Sequence, residues 1–245
     1  NAYRKSIEKY ETPTKGMEAW SAHAKSFGLG NFLNNDLSVG QKGLIPNGDF
    51  YNRYYPYGGW RAVTTISNAI GQGEILTTPI QLANLTATVA NKGFYYTPHI
   101  VKNIRDKVLD TKFTTPKHTT INKEHFEPVI EGLFNVFEQP HGTARGSKVN
   151  GIEICGKTGT SENSHGQDHS IFIAFAPKDN PKIAIAVFVE NGYWGSRWAG
   201  PMATLMIEKY LNGETIRPWV EQRMFNGSLQ EEYDKQLKES TEIEK

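Results

Sequence analysis

The sequence predicts an α+β fold, in which helices pack on a largely antiparallel sheet. Helical apolar periodicity dominates the chain up to about residue 138, and short apolar strands separated by turn residues follow it. Helices and strands that occupy separate stretches of one chain are typical of α+β rather than alternating α/β folds.

Composition indicates an ordinary globular protein. The 245 residues are 38% hydrophobic and 22% charged, and we expect one domain over residues 3–226 followed by a charged tail over 227–245. The net charge of +1 gives no electrostatic reason to expect nucleic acid, and the one cysteine excludes an intrachain disulfide. The chain does not begin with Met and has no signal peptide, so we expect a piece of a longer protein.

The first part of the chain is predicted to hold one helix and one long loop. Trp20, Ala24 and Phe27 share a face of a helix over 3–30, and glycines end it. Residues 31–73 contain seven glycines and are predicted to be a loop. The loop carries an aromatic cluster, which either packs within it or forms the wall of a cleft: Tyr51, Tyr54, Tyr55, Tyr57 and Trp60.

Two further helices have strong signals. Thr78, Pro79 and Gln81 form a capping box that starts a helix ending near Gly93, and its alanine-rich face predicts packing on another helix. The second helix, over 123–138, carries a full apolar stripe of core residues: Phe126, Val129, Ile130, Leu133, Phe134 and Phe137. Residues 140–151 link it to the strands.

The strands come last. A strand containing Lys157, Thr158 and Gly159 is followed by a predicted hairpin of Ser170–Ala176 and Lys182–Glu190. The second hairpin strand is apolar on both faces, which predicts a central position in the sheet. A helix from Pro201 to Leu211 would cover one face of the sheet.

The Lys157-Thr158-Gly159 triplet is suited to binding a peptide carboxylate. The lysine supplies positive charge, the threonine a hydroxyl donor, and the glycine lets a substrate backbone lie close to the strand. An extended peptide can then pair along the strand edge. The triplet alone is weak evidence, because three specified residues recur by chance.

Other candidate sites are weaker. Cys155 is predicted to be a buried structural thiol, because no base or partner cysteine is visible. His165, Asp168 and His169 lie in a loop without the spacing of metal ligands, so we expect loop hydrogen bonds and no metal. Gly71-Gln72-Gly73 lacks the Gly-Lys-Ser/Thr ending of a phosphate loop.

Three blocks of sequence together resemble one protein family. The first runs from Ala69-Ile70-Gly71-Gln72-Gly73-Glu74 into Thr78-Pro79-Ile80-Gln81-Leu82-Ala83-Asn84, and the second is Gly156-Lys157-Thr158-Gly159-Thr160-Ser161-Glu162-Asn163. The third runs over residues 168–177 and continues as Val189-Glu190-Asn191-Gly192. From about residue 20 to 212 the chain resembles the class B penicillin-binding proteins of the elongation type (penicillin-binding protein 2).

The resemblance implies a part of the penicillin-binding protein and serine β-lactamase-like transpeptidase fold. It implies a serine D,D-transpeptidase that cross-links peptidoglycan stem peptides, is acylated by β-lactams and needs no cofactor. Lys157, Thr158 and Gly159 would bind substrate, and the Thr160 backbone N–H would be one oxyanion-hole donor. Asp168-His169 would shape the active-site loop. The parent protein would sit in the cytoplasmic membrane, face the periplasm and cell wall, and work with a membrane glycosyltransferase.

The nucleophile of this family is not recognisable in the chain. The family carries Ser-x-x-Lys and then Ser-x-Asn before the Lys-Thr-Gly strand. Ser6-Ile7-Glu8-Lys9 matches formally, but no Ser-x-Asn follows it before Lys157, and Ser161-Glu162-Asn163 comes too late. We therefore expect the fragment alone to be inactive, and its exposed apolar surface to favour dimerisation. A serine β-lactamase and a non-catalytic β-lactam sensor or scaffold remain alternatives.

Overall fold

The computed structural model describes residues 9–57, 59–60, 66–105 and 107–235. The chain divides into two compact units. The first comprises the residues up to Gly132 together with 184–186, and the second comprises 133–183 and 187–245.

Within the described part of the predicted helix, residues 9–30, helix is present only over residues 13–26. Helix α1 spans Pro13–Ser26, where Thr12 accepts a hydrogen bond from the Lys15 N–H and Pro13 occupies the first turn. Residues 9–12 were predicted to be helical and are not, because the capping side chain of Thr12 satisfies free N–H groups of a first turn that begins at Pro13. The predicted start over residues 3–8 lies outside the described residues. The predicted end is confirmed, since Gly28 and Gly30 adopt positive φ.

The predicted loop over 31–73 is wrong in part, because it contains a helix. Helix α2 spans Gly48–Tyr54, and the Asn47 side chain caps it by accepting from the Phe50 N–H at 2.9 Å. A 3-10 helix spans Ile66–Ile70. Asn47 followed by Asp49 is a helix-start signal that the glycine content of the segment obscured.

The aromatic cluster divides between the core and the surface. Tyr51 is fully buried and stacks on Trp60 with ring centroids 5.2 Å apart, and both pack with Met17 of α1. Tyr54 and Tyr57 are exposed. Burial in the core is therefore confirmed for Tyr51 and Trp60 only, while Tyr54 and Tyr55 contact neighbouring rings of the segment from the exposed side.

Helix α3 begins as the sequence predicts. It spans Pro79–Ala90, and both hydrogen bonds of the capping box between Thr78 and Gln81 are present. The predicted alanine contact with another helix is wrong, because the buried positions are mostly polar: Gln81, Asn84, Thr86, Thr88 and Ala90. Gln81 donates to the Asn31 and Lys42 carbonyls, so this helix face binds loop backbone rather than a second helix.

Replacing Thr78 by alanine should lower the free energy of unfolding by about 1 kcal/mol, because the Gln81 N–H loses its acceptor. Urea unfolding would measure this change. Thr78→Ser keeps the hydroxyl and should retain most of the stability. Equal losses in the two variants would show that the cap is not the cause.

The remaining elements of the first unit are short. Strands β1 (Phe94–Tyr95) and β2 (Lys117–His118) pair antiparallel, and helix α4 (Thr111–Thr114) lies between them in sequence. A 3-10 helix (Lys123–His125) leads into α5 (Phe126–Glu138), which runs from the first unit into the second. The predicted full apolar stripe of α5 is incomplete, because Phe126, Ile130 and Phe137 are buried whereas Val129 is 48% exposed.

The main sheet belongs to the second unit, apart from residues 184–186 of its last strand. Its strands are β3 (Cys155–Ser161), β4 (His169–Ala176) and β5 (Ile183–Val189), in the order β3-β4-β5. The Lys182 N–H bonds the Ala176 carbonyl at 2.8 Å and closes the predicted connection. The predicted central position of β5 is wrong, because among the described strands β4 is the middle one and β5 lies at an edge. Apolar residues on both faces indicate that both faces of a strand are covered, but they do not indicate that both of its edges are paired with other strands.

Helices follow the sheet. Helix α6 (Ala199–Asn212) packs on β4, as predicted, and ends at Gly213 with φ of 82°. Helix α7 (Pro218–Asn226) packs on α6, and residues 229–235 are helical. A 3-10 helix (Arg145–Ser147) precedes β3.

A buried ion pair joins these helices to the segment before β3. Arg217 Nε lies 3.3 Å from Glu208 Oε2, and the Glu208 side chain is fully buried. The guanidinium also donates to the carbonyls of Ser147 and Lys148 and to the Thr204 hydroxyl. One arginine therefore ties α6 and the start of α7 to the approach to β3.

Candidate functional site

Strand β3 presents the Lys-Thr-Gly residues at an edge of the sheet. It pairs antiparallel with β4, placing Lys157 opposite Ile173 and Gly159 opposite Ile171. Lys157 and Thr160 are exposed. No other strand among the described residues pairs with the second edge of β3. That edge therefore offers unpaired backbone groups beside a lysine, as an extended peptide with a carboxylate requires.

The polar side chains at this edge have nearby partners. Lys157 Nζ donates to the Thr158 carbonyl at 2.8 Å, and the Thr158 hydroxyl lies 3.0 Å from the Thr143 hydroxyl. Thr143 was missed by sequence reasoning, because it lies in the link before β3 and no local pattern marks its contact. Its hydroxyl can orient the Thr158 hydroxyl towards a bound carboxylate.

The start of β3 is anchored in the core. Cys155 and Gly156 are buried, as predicted for the thiol, and a Cβ on Gly156 would lie 2.6 Å from the Ile173 carbonyl oxygen. Phe137 and Phe172 pack edge to face in the same region, with centroids 5.9 Å apart. The strand is therefore fixed at its first residues and becomes exposed where Lys157 begins the site.

The segment after β5 packs its backbone directly against β3. A Cβ on Gly195 would lie 2.6 Å from the oxygen and 2.9 Å from the nitrogen of Gly159, and 2.3 Å from the Ile171 carbonyl oxygen. Because these atoms are all backbone, no side-chain rotation would relieve the contact. Gly195 is a second residue that sequence reasoning missed, and it lies against Gly159 within β3.

Hydrogen bonds hold this segment in place. The buried Ser170 hydroxyl donates to the Trp194 carbonyl and accepts from the Ala199 N–H. Arg197 Nε and Trp198 Nε1 both donate to Glu232 Oε2, at 2.7 and 3.2 Å. Burial by itself would raise the pKa of Glu232, but these bonds and the nearby arginine charges hold that pKa below its ordinary value. Part of the predicted charged tail thus packs beside the site.

The loop between β3 and β4 is organised by its own hydrogen bonds. Asp168 accepts from the Asn163 N–H through its carboxylate and from the Tyr193 N–H through its carbonyl. His169 Nδ1 accepts from the Asn191 N–H at 3.0 Å. Within the described ranges no three acidic, histidine or cysteine side chains are grouped as a metal site. Asp168 and His169 therefore have roles in shaping the loop.

Two predicted features of the site are untested by this geometry. Ser6 lies outside the described residues. Thr160 lies opposite Ser170 in the register, and the role of its backbone N–H in an oxyanion hole stays a prediction.

Replacing Gly195 by alanine should displace β3 and slow acylation of a catalytically complete form of the protein by about tenfold or more, because small displacements of binding groups are costly. Acylation rates from intact mass would measure the effect. Gly146→Ala is the matched control, since a Cβ there meets no atom within 4 Å. An unchanged acylation rate in Gly195→Ala would show that Gly195 is not needed to position β3.

Comparison with known proteins agrees with this geometry. Residues 10–211 match the family described as penicillin binding protein transpeptidase domain. The chain is 31% identical over 238 residues to the peptidoglycan D,D-transpeptidase MrdA of Haemophilus influenzae, covering 89% of this chain and 36% of that protein. It is 32% identical over 198 residues to MrdA of Acinetobacter baumannii, covering 74% and 29%. The chain thus spans about a third of these relatives.

Solved structures show the same relationship. Penicillin-binding protein 2 of Pseudomonas aeruginosa, in complex with WCK 5153, superposes with a TM-score of 0.71 at 32% identity, covering 81% of this chain and 44% of that one. Penicillin-binding protein 2 of Helicobacter pylori superposes with a TM-score of 0.67 at 26% identity, covering 86% and 38%. The match over most of its length and the shared fold show that this chain belongs to the penicillin-binding protein transpeptidase family.

Proposed function

We propose that this chain supplies the carboxylate-binding strand of a peptidoglycan D,D-transpeptidase of the penicillin-binding protein 2 type. The observation that carries the proposal is the exposed edge of β3, where Lys157 and the Thr158 hydroxyl stand beside unpaired backbone. Membership of the transpeptidase family and relatives named as D,D-transpeptidases support it.

In the proposed reaction a serine of the parent protein, whose motif is not recognisable in this chain, attacks the penultimate D-Ala carbonyl of a stem peptide. The terminal D-Ala leaves as the free amino acid, and the acyl group passes from the serine to an amine of a neighbouring strand. Lys157 and Thr158 hold the terminal carboxylate, Gly159 allows close backbone approach, and the Thr160 N–H donates to the developing oxyanion. β-Lactams acylate the same serine.

Partners and location follow from the same proposal. One similar structure is a complex of Helicobacter pylori penicillin-binding protein 2 with MreC, and another is from a peptidoglycan synthase complex that coordinates polymerisation and crosslinking. We place the parent protein with such machinery, including a membrane glycosyltransferase, at the cytoplasmic membrane facing the cell wall. No helix in the described part of the chain is long and apolar enough to span a membrane.

The test uses a longer form of the protein that includes upstream sequence. Incubation with a stem pentapeptide and an acceptor amine should release D-Ala and form the cross-linked product, and penicillin should block both. Rapid nitrocefin hydrolysis would instead indicate a β-lactamase. Stable acylation without D-Ala release would indicate a sensor or scaffold.

A further inference from the structure

One cavity lies in the first unit and does not involve β3. Its volume is about 470 Å³, and it is lined by aromatic rings of α2 and of the residue that follows it, one carboxylate and two leucines: Phe50, Tyr54, Tyr55, Glu74, Leu44 and Leu76. None of these six residues carries a positive charge. Tyr54 is 66% exposed, so the cavity opens to solvent.

Buried side chains fix the single carboxylate of this cavity through hydrogen bonds. Tyr51 is fully buried, and its hydroxyl donates to Glu74 Oε2 at 2.7 Å. Asn68, which is also buried, donates from Nδ2 to the same hydroxyl at 2.9 Å. These two hydrogen bonds fix Glu74 Oε2 and orient the carboxylate before any ligand binds, which lowers the entropic cost of binding.

The walls of the cavity are also supported. The rings of Phe50 and Tyr54 lie 4.5 Å apart, and Tyr51 stacks on Tyr55 at 6.4 Å. Leu44 and Leu76 exchange two backbone hydrogen bonds of 2.8 and 2.9 Å. The backbone hydrogen bonds between Leu44 and Leu76 and the buried Tyr51 side chain therefore hold the walls of the cavity and its carboxylate in place.

We propose that this cavity binds the ammonium group of a lysine-like side chain on a peptide or protein. Aromatic faces attract a cation, a carboxylate pairs with it, and the leucines accept the alkyl stem. An ammonium is favoured over a guanidinium because the Tyr51 hydroxyl already occupies one acceptor site of Glu74 Oε2, which leaves less of the carboxylate for a bidentate fork. This proposal does not depend on the transpeptidase function.

The test is a titration of ¹⁵N-labelled chain with Nα-acetyl-lysine amide, followed by amide chemical shifts. Binding should shift the signals of Tyr54, Tyr55, Glu74 and Leu76. Nα-acetyl-norleucine amide has the same stem without the charge and should bind at least about tenfold more weakly. Nα-acetyl-arginine amide should bind no more tightly than the lysine derivative.

Substitutions inside and outside the cavity test whether lysine binding occurs at this site. Glu74→Gln should weaken lysine binding about tenfold, and Tyr54→Leu should weaken it about two- to fivefold. Tyr57→Leu and Glu127→Gln, which alter an exposed tyrosine and an exposed acid outside the cavity, should bind as the parent chain does. Equal binding of the norleucine derivative, unchanged binding by Glu74→Gln, or no shifts with the lysine derivative would overturn the proposal.

Discussion

Arg217→Met should lower the free energy of unfolding of the second unit by about 3–5 kcal/mol, because it leaves a buried charge without its partner. Glu208 is fully buried, and Glu208 Oε1 has no hydrogen-bond partner, so Arg217 supplies the one opposing charge seen at its carboxylate in the described structure. The Ser147 and Lys148 carbonyls also lose a donor. Hydrogen exchange of β3 and β4 amides in urea would measure the loss in this unit.

The double variant Arg217→Met/Glu208→Met separates charge from packing. Replacing both members of a buried pair by apolar residues of similar volume is often neutral or stabilising, so the double variant should recover most of the lost stability. A double variant as unstable as Arg217→Met alone would show that backbone hydrogen bonds, and not the unpaired carboxylate, account for the effect.

Lys157→Ala should slow acylation of a catalytically complete form of the protein by a carboxylate-bearing β-lactam by about 10–100-fold. A hydrogen bond to a charged group contributes about 1.5–3 kcal/mol, and the proposed site loses one such bond. Rates of acylation followed by intact mass would measure it. Lys157→Arg keeps the charge but has a guanidinium of different shape, so its acylation rate should lie between those of the parent protein and Lys157→Ala.

The ligand itself provides the sharper control for Lys157. A methyl ester of the same β-lactam lacks the carboxylate, so the parent protein and Lys157→Ala should be acylated by it at similar rates. Lys182→Ala changes an exposed lysine at the turn before β5 and should react normally with both compounds. A Lys157→Ala defect of equal size with acid and ester would mean that the lysine acts on β3 structure rather than on the carboxylate.

Local chemistry explains which parts of the fold were predictable. The capping box at Thr78, the glycine just after the end of α1 and the apolar strands β4 and β5 are each determined by residues adjacent in sequence, and all are present. The order of the strands was not predictable in this way, because pairing partners are set by long-range contacts. Helix α2 was missed because its capping residue Asn47 lies in a glycine-rich segment.

The same distinction applies to the site. Lys157 and Thr158 could be proposed as binding residues from the sequence because their types suit a known chemical task, and their roles stay predictions. Thr143 and Gly195 could not, since each acts by lying against β3 from elsewhere in the chain. A glycine whose role is to let two backbones approach leaves no pattern around it in the sequence.

The most direct test is the intact mass of two proteins after incubation with a penicillin: this chain, and a form extended upstream. The account predicts that the extended form gains one drug mass and that this chain gains none, because no serine here has the motif context of the nucleophile. A drug adduct on this chain would contradict the account, and mapping the adduct would show whether Ser6 is the acylated residue.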